Sequence, residues 1–199
     1  MFTGLVQAIG TIVSSKKTDN LVRVTIKCPW LKCKIGESIS VDGVCLTVHK
    51  WYPWHFVAYI IPETQLSTNL NFKNLKIKQQ VNLERSLRGS DQFGGHFVSG
   101  HVDKKLKIKG INSSIGKDIA VQAEACDLVF LSTKGSITIN GVSLTIQSMK
   151  NDVFYVSLIP KTLATTNMGN LQINDSVNIE WDLFAKIVHH QLSIKKADL

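Results

Sequence analysis

The sequence has no run of about 18 consecutive apolar residues, so no membrane-spanning helix is expected. It opens Met1-Phe2-Thr3-Gly4-Leu5-Val6 without a basic segment leading into a long apolar stretch, and a targeting peptide is not expected there. Cysteine is scarce. Cys28, Cys33, Cys45 and Cys126 form no C-x-x-C pair and have no histidines at zinc-ligand spacing, which argues against a metal site. A cytoplasmic protein with reduced thiols is the expectation. No G-x-G-x-x-G segment occurs and no βαβ pattern surrounds one, so a dinucleotide-binding domain is not expected either. Acidic residues are outnumbered, 15 against 23 Lys and Arg, for a formal charge of +8. Such a balance attracts nucleic acid when it is concentrated in a patch. Here only Lys104, Lys105, Lys107 and Lys109 cluster, at the near-alternating positions of a solvated strand face, and neither nucleic acid nor membrane is an expected partner.

What is present is a globular composition, 44% hydrophobic and 19% charged over 199 residues, enough for one large domain or two of about 100 residues. Internal repetition decides between them. Residues 38 to 48 read S-I-S-V-D-G-V-C-L-T-V and residues 136 to 146 read S-I-T-I-N-G-V-S-L-T-I, identical at six of eleven positions. Other segments recur in the same order. Phe2-Thr3-Gly4 faces Val98-Ser99-Gly100, the I-P-E-T at 61 to 64 faces the I-P-K-T at 159 to 162, and Thr68-Asn69 faces Thr166-Asn167. The V-N-L-E at 81 to 84 faces the V-N-I-E at 177 to 180, and the offset stays between 96 and 98. The chain is therefore two tandem copies, 1–96 and 97–182, joined where Gly89, Gly94 and Gly95 loosen the backbone.

Each copy reads as β-structure. Short runs rich in Val, Ile and Thr, such as 21–27, 38–49, 56–61 and 80–84, are separated by Gly, Asn, Asp or Pro. Asp42-Gly43 and Asn140-Gly141 are two-residue hairpin signals, because a type I′ turn needs positive φ at both central positions. About six strands in under 100 residues predict a small closed barrel per copy, which removes exposed edges. After Asp182 the period changes. Leu183, Phe184, Ile187, Val188 and Leu192 fall at helical spacing, so residues 183–199 are expected to carry one helix with an apolar stripe that packs either on its own barrel or on another chain.

Differences between the copies mark where their chemistry diverges. Cys45 is replaced by Ser143, His101 by Leu5, and Asp182 by Ser86. A lone strand cysteine is usually a small core residue, and of His96 and His101 one is expected to be exposed and one structural. Lys134 precedes the second motif and would ordinarily be solvated. Thr47 with Thr145, and Thr64 with Thr162, are shared and suit hydrogen bonds to a feature common to two ligands.

The opening Met1 to Gly4, the D-G-V-C-L-T and N-G-V-S-L-T segments, G-G-H-F-V-S-G-H at 94 to 101, the two I-P-x-T segments and V-N-I-E-W-D at 177 to 182 together resemble the riboflavin synthase family. The resemblance implies an all-β fold of two tandem six-stranded Greek-key antiparallel barrels with a C-terminal α-helix, through which three chains associate. It implies a site shared between the first barrel of one subunit and the second of another, each holding one molecule of 6,7-dimethyl-8-ribityllumazine. By matching positions the first ligand would meet Cys45, Leu46 and Thr47, then Tyr59, Ile60, Ile61, Pro62, Glu63 and Thr64, and finally Gly100, His101 and Val102. The second would meet Gly4, Leu5, Val6 and Lys134, then Ser143, Leu144 and Thr145, and finally Ile159, Pro160, Lys161, Thr162, Leu163 and Ala164.

The implied reaction moves a four-carbon unit from one lumazine to the other without metal or redox cofactor. Cys45, His101, Ser143 and Asp182 are the implied catalytic set, with His101 and Ser143 moving protons and Cys45 adding to or polarising the acceptor ring. The resemblance leaves association with lumazine synthase open. The segments Trp51 to His55 and Cys28-Pro29-Trp30 depart from the pattern. The rival reading of the same resemblance is a non-catalytic antenna protein that holds a lumazine or flavin, in which one barrel's site should have decayed. A flavin-dependent reductase would need the dinucleotide domain that the sequence lacks.

Overall fold

The structure is a computed structural model that describes residues 1–71, 73, 75–112 and 117–197, with side chains given to Ile194. In the first copy β1 (Ala8–Thr18) and β2 (Leu21–Lys27) form a hairpin, as do β3 (Ser38–Val41) and β4 (Val44–Thr47). A third joins β5 (Lys50–Tyr52) to β6 (His55–Ile60), after which come the short helix α1 (Pro62–Ser67) and β7 (Gln80–Arg85). The second copy repeats the order with β8 (Lys104–Asn112), β9 (Lys117–Gln122), β10 (Ser136–Ile139), β11 (Val142–Lys150), β12 (Val153–Leu158), α2 (Pro160–Thr165) and β13 (Ser176–Trp181). Helix α3 (Leu183–Ala197) follows, and the last two residues of the expected helical segment lie outside the described residues.

Alternation builds these strands. Along β2 the side chains of Val22, Val24 and Ile26 are buried while Leu21, Arg23 and Thr25 are not, the period of two that fills one face of a sheet. The inward residues form two separate cores. Ile12, Ile26, Ile39, Phe56 and Leu83 centre the first, and Ile108, Ile119, Ile137, Phe154 and Ile179 the second.

The second copy closes as β10-β11-β12-β9-β8-β13. Three consecutive neighbours, β10 to β12, with β9 returning beside β12 make a Greek key. The first copy keeps the same circular order, β4-β3-β7-β1-β2-β6-β5, but its ring is interrupted, giving a curled seven-stranded sheet in place of a closed six-stranded barrel. The physical reason lies in one strand. β4 and β5 are the two halves of what β11 makes in one piece, and the chain leaves regular pairing at Val48 and His49. At the corresponding place β11 bulges between Ile146 and Ser148. A strand that turns a barrel corner must bend, and the two copies accommodate the bend as a break and as a bulge. The Trp51 to His55 departure is the β5–β6 hairpin, with Trp54 at φ 67 in its turn.

Both expected tight turns are present, with Asp42 and Asn140 each at φ 46. They meet back to back: a Cβ on Gly43 would stand 2.9 Å from the Gly141 nitrogen. Around this contact the halves exchange polar groups in pairs. Asn82 Nδ2 donates to the Asn140 carbonyl and Asn178 Nδ2 to the Asp42 carbonyl, both at 2.8 Å. Asn69 N–H donates to Asn178 Oδ1 and Asn167 N–H to Asn82 Oδ1. Among the described residues no buried side-chain nitrogen or oxygen is left without a partner, which is what a sealed joint between two cores requires.

Candidate active site

The residues that follow each copy's start cross to the other copy. In the first, the Thr3 N–H and hydroxyl donate to Glu84 Oε1 at 2.7 and 2.9 Å, and Gly4 N–H donates to Oε2 at 3.0 Å. In the second, the Ser99 N–H and hydroxyl donate to Glu180 Oε1 at 2.7 and 2.6 Å, and Gly100 N–H donates to Oε2 at 3.0 Å. Each segment, clamped by its own carboxylate, then gives a carbonyl to the other half. Ser143 N–H donates to Gly4 O, and Cys45 N–H donates to Gly100 O, both at 2.8 Å. Phe2 and Val98 pair at the centre. The following residues also cross, since Val6 packs against the second core and Val102 against the first.

Only glycine fits at the two crossing points. Gly4 and Gly100 have φ of 78 and 81, and a Cβ would stand 2.6 Å from Ser143 Cβ or 2.7 Å from Cys45 Cβ. Glu84 and Glu180 are buried, which raises both carboxyls, while the N–H and hydroxyl donors of Thr3, Gly4, Ser99 and Gly100 pull each back towards the charged form.

The site residues expected from sequence therefore fall in two related rims. Cys45, Leu46 and Thr47 on β4 lie beside Gly100, His101 and Val102; Ser143, Leu144 and Thr145 on β11 lie beside Gly4, Leu5 and Val6. Tyr59 and Ile60 end β6, and Ile61, Pro62, Glu63 and Thr64 open α1; Ile159, Pro160, Lys161, Thr162, Leu163 and Ala164 repeat that corner at α2. Both short helices start with proline after an extended residue and end on a Thr hydroxyl, Thr68 donating to Thr64 O and Thr166 to Thr162 O at 2.6 Å. Thr47, Thr145, Leu5, His101, Ile61 and Ile159 are all exposed, so both rims are open in a single chain.

Lys134 borders the second rim, its N–H donating to the carbonyl of Ile146, next to Thr145, at 2.7 Å. It is the positive-φ turn residue before β10, and its Nζ donates to Gln147 Oε1.

The histidine that the structure places on Ser143 is His96, where the resemblance had implied His101. His96 is buried, its Nδ1 is 2.8 Å from the Ser143 hydroxyl, and its Nε2 is 3.0 Å from the Thr138 hydroxyl on the paired strand. Burial lowers its pKa below the ordinary value and the charge of Asp182 partly opposes this, so the ring is neutral at pH 7 with one nitrogen donating and the other accepting. Asp182 caps α3, its Oδ1 accepting the N–H groups of Phe184 at 2.8 Å and Ala185 at 3.4 Å. His101 is exposed. The first copy has Ser40 opposite Cys45 where the second has Thr138 opposite Ser143, and among the described residues no histidine bridges Ser40 and Cys45. A hydroxyl–imidazole–hydroxyl chain able to pass a proton thus exists in one half only.

Sequence signals for Glu84 and Glu180 existed in the recurrence of Thr-Gly or Ser-Gly with the final V-N-x-E at one offset. His96 had none, because it precedes the second repeat and has no counterpart to be compared with.

Two small antiparallel β-domains, one a closed barrel and one a curled sheet, related by duplication and threaded through each other's rims, define a tandem binding protein for two similar ligands. The family model for the lumazine binding domain matches it twice, over residues 3–86 and 99–182. The chain belongs to the riboflavin synthase family: it is 39% identical to riboflavin synthase of Bacillus subtilis (strain 168) over 96% of this chain and 90% of that protein, and 36% identical to that of Schizosaccharomyces pombe over 100% and 97%. Among solved structures it is similar to LumP complexed with 6,7-dimethyl-8-(1'-D-ribityl) lumazine, at a TM-score of 0.80 and 26% identity over 90% of this chain and 98% of that one. LumP complexed with riboflavin gives 0.82 and 26% over 91% and 99%.

Proposed function

We propose that the chain converts two molecules of 6,7-dimethyl-8-ribityllumazine into one riboflavin and one 5-amino-6-(D-ribitylamino)uracil. The observation that carries this reading is that both halves keep the same clamped rim while only one keeps the Ser143–His96–Thr138 chain. Two equivalent rims suit two copies of one substrate. One proton-moving chain suits a reaction in which those copies play different parts.

In this reading 1–96 and 97–182 each hold one lumazine, with the shared threonines Thr47 and Thr145 bonding to what the ligands have in common. The lumazine ring stabilises the carbanion left when its 7-methyl loses a proton. Ser143, held by neutral His96, takes and returns protons at the second rim, Thr138 orients the far imidazole nitrogen, and Asp182 favours the imidazolium that forms when His96 accepts a proton. Cys45 adds to or polarises the ring held at the first rim. His101, exposed on the first rim, meets substrate there. Stacking the two rings in register supplies the remainder of the rate.

The openness of both rims supports completion by a second subunit, and we place three chains together through α3. Its Phe184, Ile187, Val188 and Leu192 are 60, 49, 57 and 56% exposed, an apolar stripe left open in one chain. We place the protein in the cytoplasm, where its four free cysteines stay reduced. No helix among the described residues is long and apolar enough to cross a membrane.

Incubation of the purified chain with the lumazine, followed by absorbance and product analysis, tests the proposal. Two lumazines should disappear for each riboflavin formed. A protein that binds lumazine stoichiometrically and releases no riboflavin would be an antenna protein instead.

A further inference from the structure

His96 is carried into place by a segment with little backbone support. Gln92 to Gly95 belongs to no strand or helix and makes no hydrogen bond to another described residue. It lies flat on the start of the chain, where a Cβ on Gly95 would overlap the Thr3 carbonyl and one on Gly94 would stand 2.8 Å from Leu5 Cδ1. Backbone bonds resume at His96, whose N–H donates to Thr3 O at 3.1 Å, and at Val98, which pairs with Phe2.

Side chains alternate along this stretch as they do in a strand, so that His96 and Val98 are buried while Phe97 between them is 40% exposed. On the open side Phe97 is held by two other rings. Its centroid lies 4.7 Å from that of Phe93, tilted at 44°, and 5.7 Å from that of Phe184, edge-on at 75°, both within the range of favourable aromatic pairs. Phe184 is the second residue of α3, and its N–H is fixed by Asp182 Oδ1 at 2.8 Å. Phe93 and Phe184 are 46 and 60% exposed, and none of the three rings belongs to either core. What the rings do fix is the backbone of His96 against the head of α3. The first copy lacks the arrangement: at the matching offset Met1 stands for Phe97 and Arg88 for Phe184, in the half that also lacks the hydroxyl–imidazole–hydroxyl chain.

We propose that Phe97, clasped between Phe93 and Phe184, is a positioning residue that holds His96 in line with Ser143 and Thr138 and ties that line to the seating of α3. Without the Phe97 ring the Gly94-Gly95 segment is free to swing, and the imidazole exchanges its two hydroxyl partners for water. The charged groups around it are Asp182 at the head of α3 and Glu84, one hydrogen bond beyond Thr3. The effect of the clasp on turnover rests on the proton-moving role proposed for His96; its effect on the imidazole does not.

The imidazole is therefore read directly. The full chain is labelled with carbon-13 histidine, its six imidazoles are followed by NMR against pH, and His96→Gln identifies the His96 signal. In the parent that signal titrates below the ordinary histidine value, because burial disfavours the charged form. Phe97→Ala should move the midpoint up towards the ordinary value and lower kcat by about 10²-fold, the usual cost of a misplaced catalytic group, with KM within about twofold. Phe184→Ala should move the midpoint in the same direction. Phe97→Tyr keeps the ring and should restore both the parent titration and kcat. Phe93→Ala, at the outer edge of the clasp, carries the same test if Phe97→Ala does not fold. An unmoved His96 midpoint in the alanine variant at 97, or at 93 in its place, overturns the proposal whatever happens to kcat. So does an unmoved midpoint in Phe184→Ala, or a shift that Phe97→Tyr fails to reverse. A midpoint that moves while kcat holds upholds the clasp and removes the proton-moving role from His96 instead.

Discussion

At the residue scale, the asymmetry between Cys45 and Ser143 is an asymmetry of partners. Ser143 has an imidazole at 2.8 Å, whereas the Cys45 thiol has no imidazole partner among the described residues and faces Ser40 on the paired strand. General acid–base groups contribute roughly 10²- to 10⁴-fold to rate. Ser143→Ala and His96→Gln should therefore lower kcat and kcat/KM together by about 10²-fold or more, whereas a group used only for binding raises KM alone. Thr47→Val and Thr145→Val provide the contrast in steady-state kinetics, each weakening binding by about 0.5 to 1.5 kcal/mol, the net worth of one neutral hydrogen bond. Values of kcat within about twofold of the parent for both Ser143→Ala and His96→Gln would make those positions structural.

The same histidine fixes a pH dependence. Its folded pKa lies below the ordinary 6.5, so folding disfavours its protonated form. The contribution of neutral His96 to stability is present above about 6.5 and declines as pH falls from there towards the folded pKa. The acid limb of kcat should accordingly lie below the ordinary histidine value and vanish in His96→Gln. A limb at or above 6.5 would assign the titration to another group.

At the element scale, α3 is held at its start and open along its length. Asp182 caps it, Lys186 Nζ reaches Asp103 at 3.1 Å, and Phe130 stacks edge-on against His189 at 5.0 Å. The stripe of Ile187, Val188 and Leu192 remains exposed. Replacing Ile187 and Leu192 with Asp should give monomers in sedimentation without loss of β circular dichroism, and turnover should fall because each rim is open in a monomer. An unchanged oligomer would place the contact elsewhere.

Elements of this kind were legible in the sequence for a plain reason. Repetition located the two halves, Asp42-Gly43 and Asn140-Gly141 fixed two hairpins because few residues tolerate positive φ twice in succession, and helical spacing after Asp182 revealed α3. The break at Val48 and His49 was not legible. Val48 is buried and apolar like its counterpart Ile146, and nothing local tells a strand that bulges from one that separates. The crossing of Gly4 and Gly100 between halves was equally hidden, since periodicity reports which face is buried and is silent about whose core receives it.

At the scale of the whole molecule, the joint between the copies carries one acid. Asp42 sits where the second copy has Asn140, its Oδ1 accepting from Asn82 N–H at 2.7 Å and Asn167 Nδ2 at 2.9 Å. Burial pushes its carboxyl from the ordinary 3.8 up to about 7. Between those values the folded protein holds a proton that the unfolded chain has shed, so this group's stabilisation is full below about 3.8 and is lost as pH rises through about 7. Each tenfold change in proton affinity is worth about 1.4 kcal/mol, which sets a ceiling of about 4 kcal/mol. Asp42→Asn keeps an oxygen acceptor for both donors. Its melting temperature should match the parent near pH 4 and exceed it increasingly up to pH 8; a variant less stable at both would show that the carboxylate itself is required.

The crossing of the rims also orders events in time. Cys45 can close its bond to Gly100 once a little over half the chain exists, whereas Gly4 must wait for Ser143, nearly 140 residues behind it. At about 5 to 20 residues per second of synthesis that interval is roughly 7 to 28 s. Once Glu84 has been made, 59 residues before Ser143, it can hold Thr3 and Gly4 in place, presenting a carbonyl whose partner has not been made. Two rims alike in space are therefore finished in sequence, the cysteine rim first and the serine rim last.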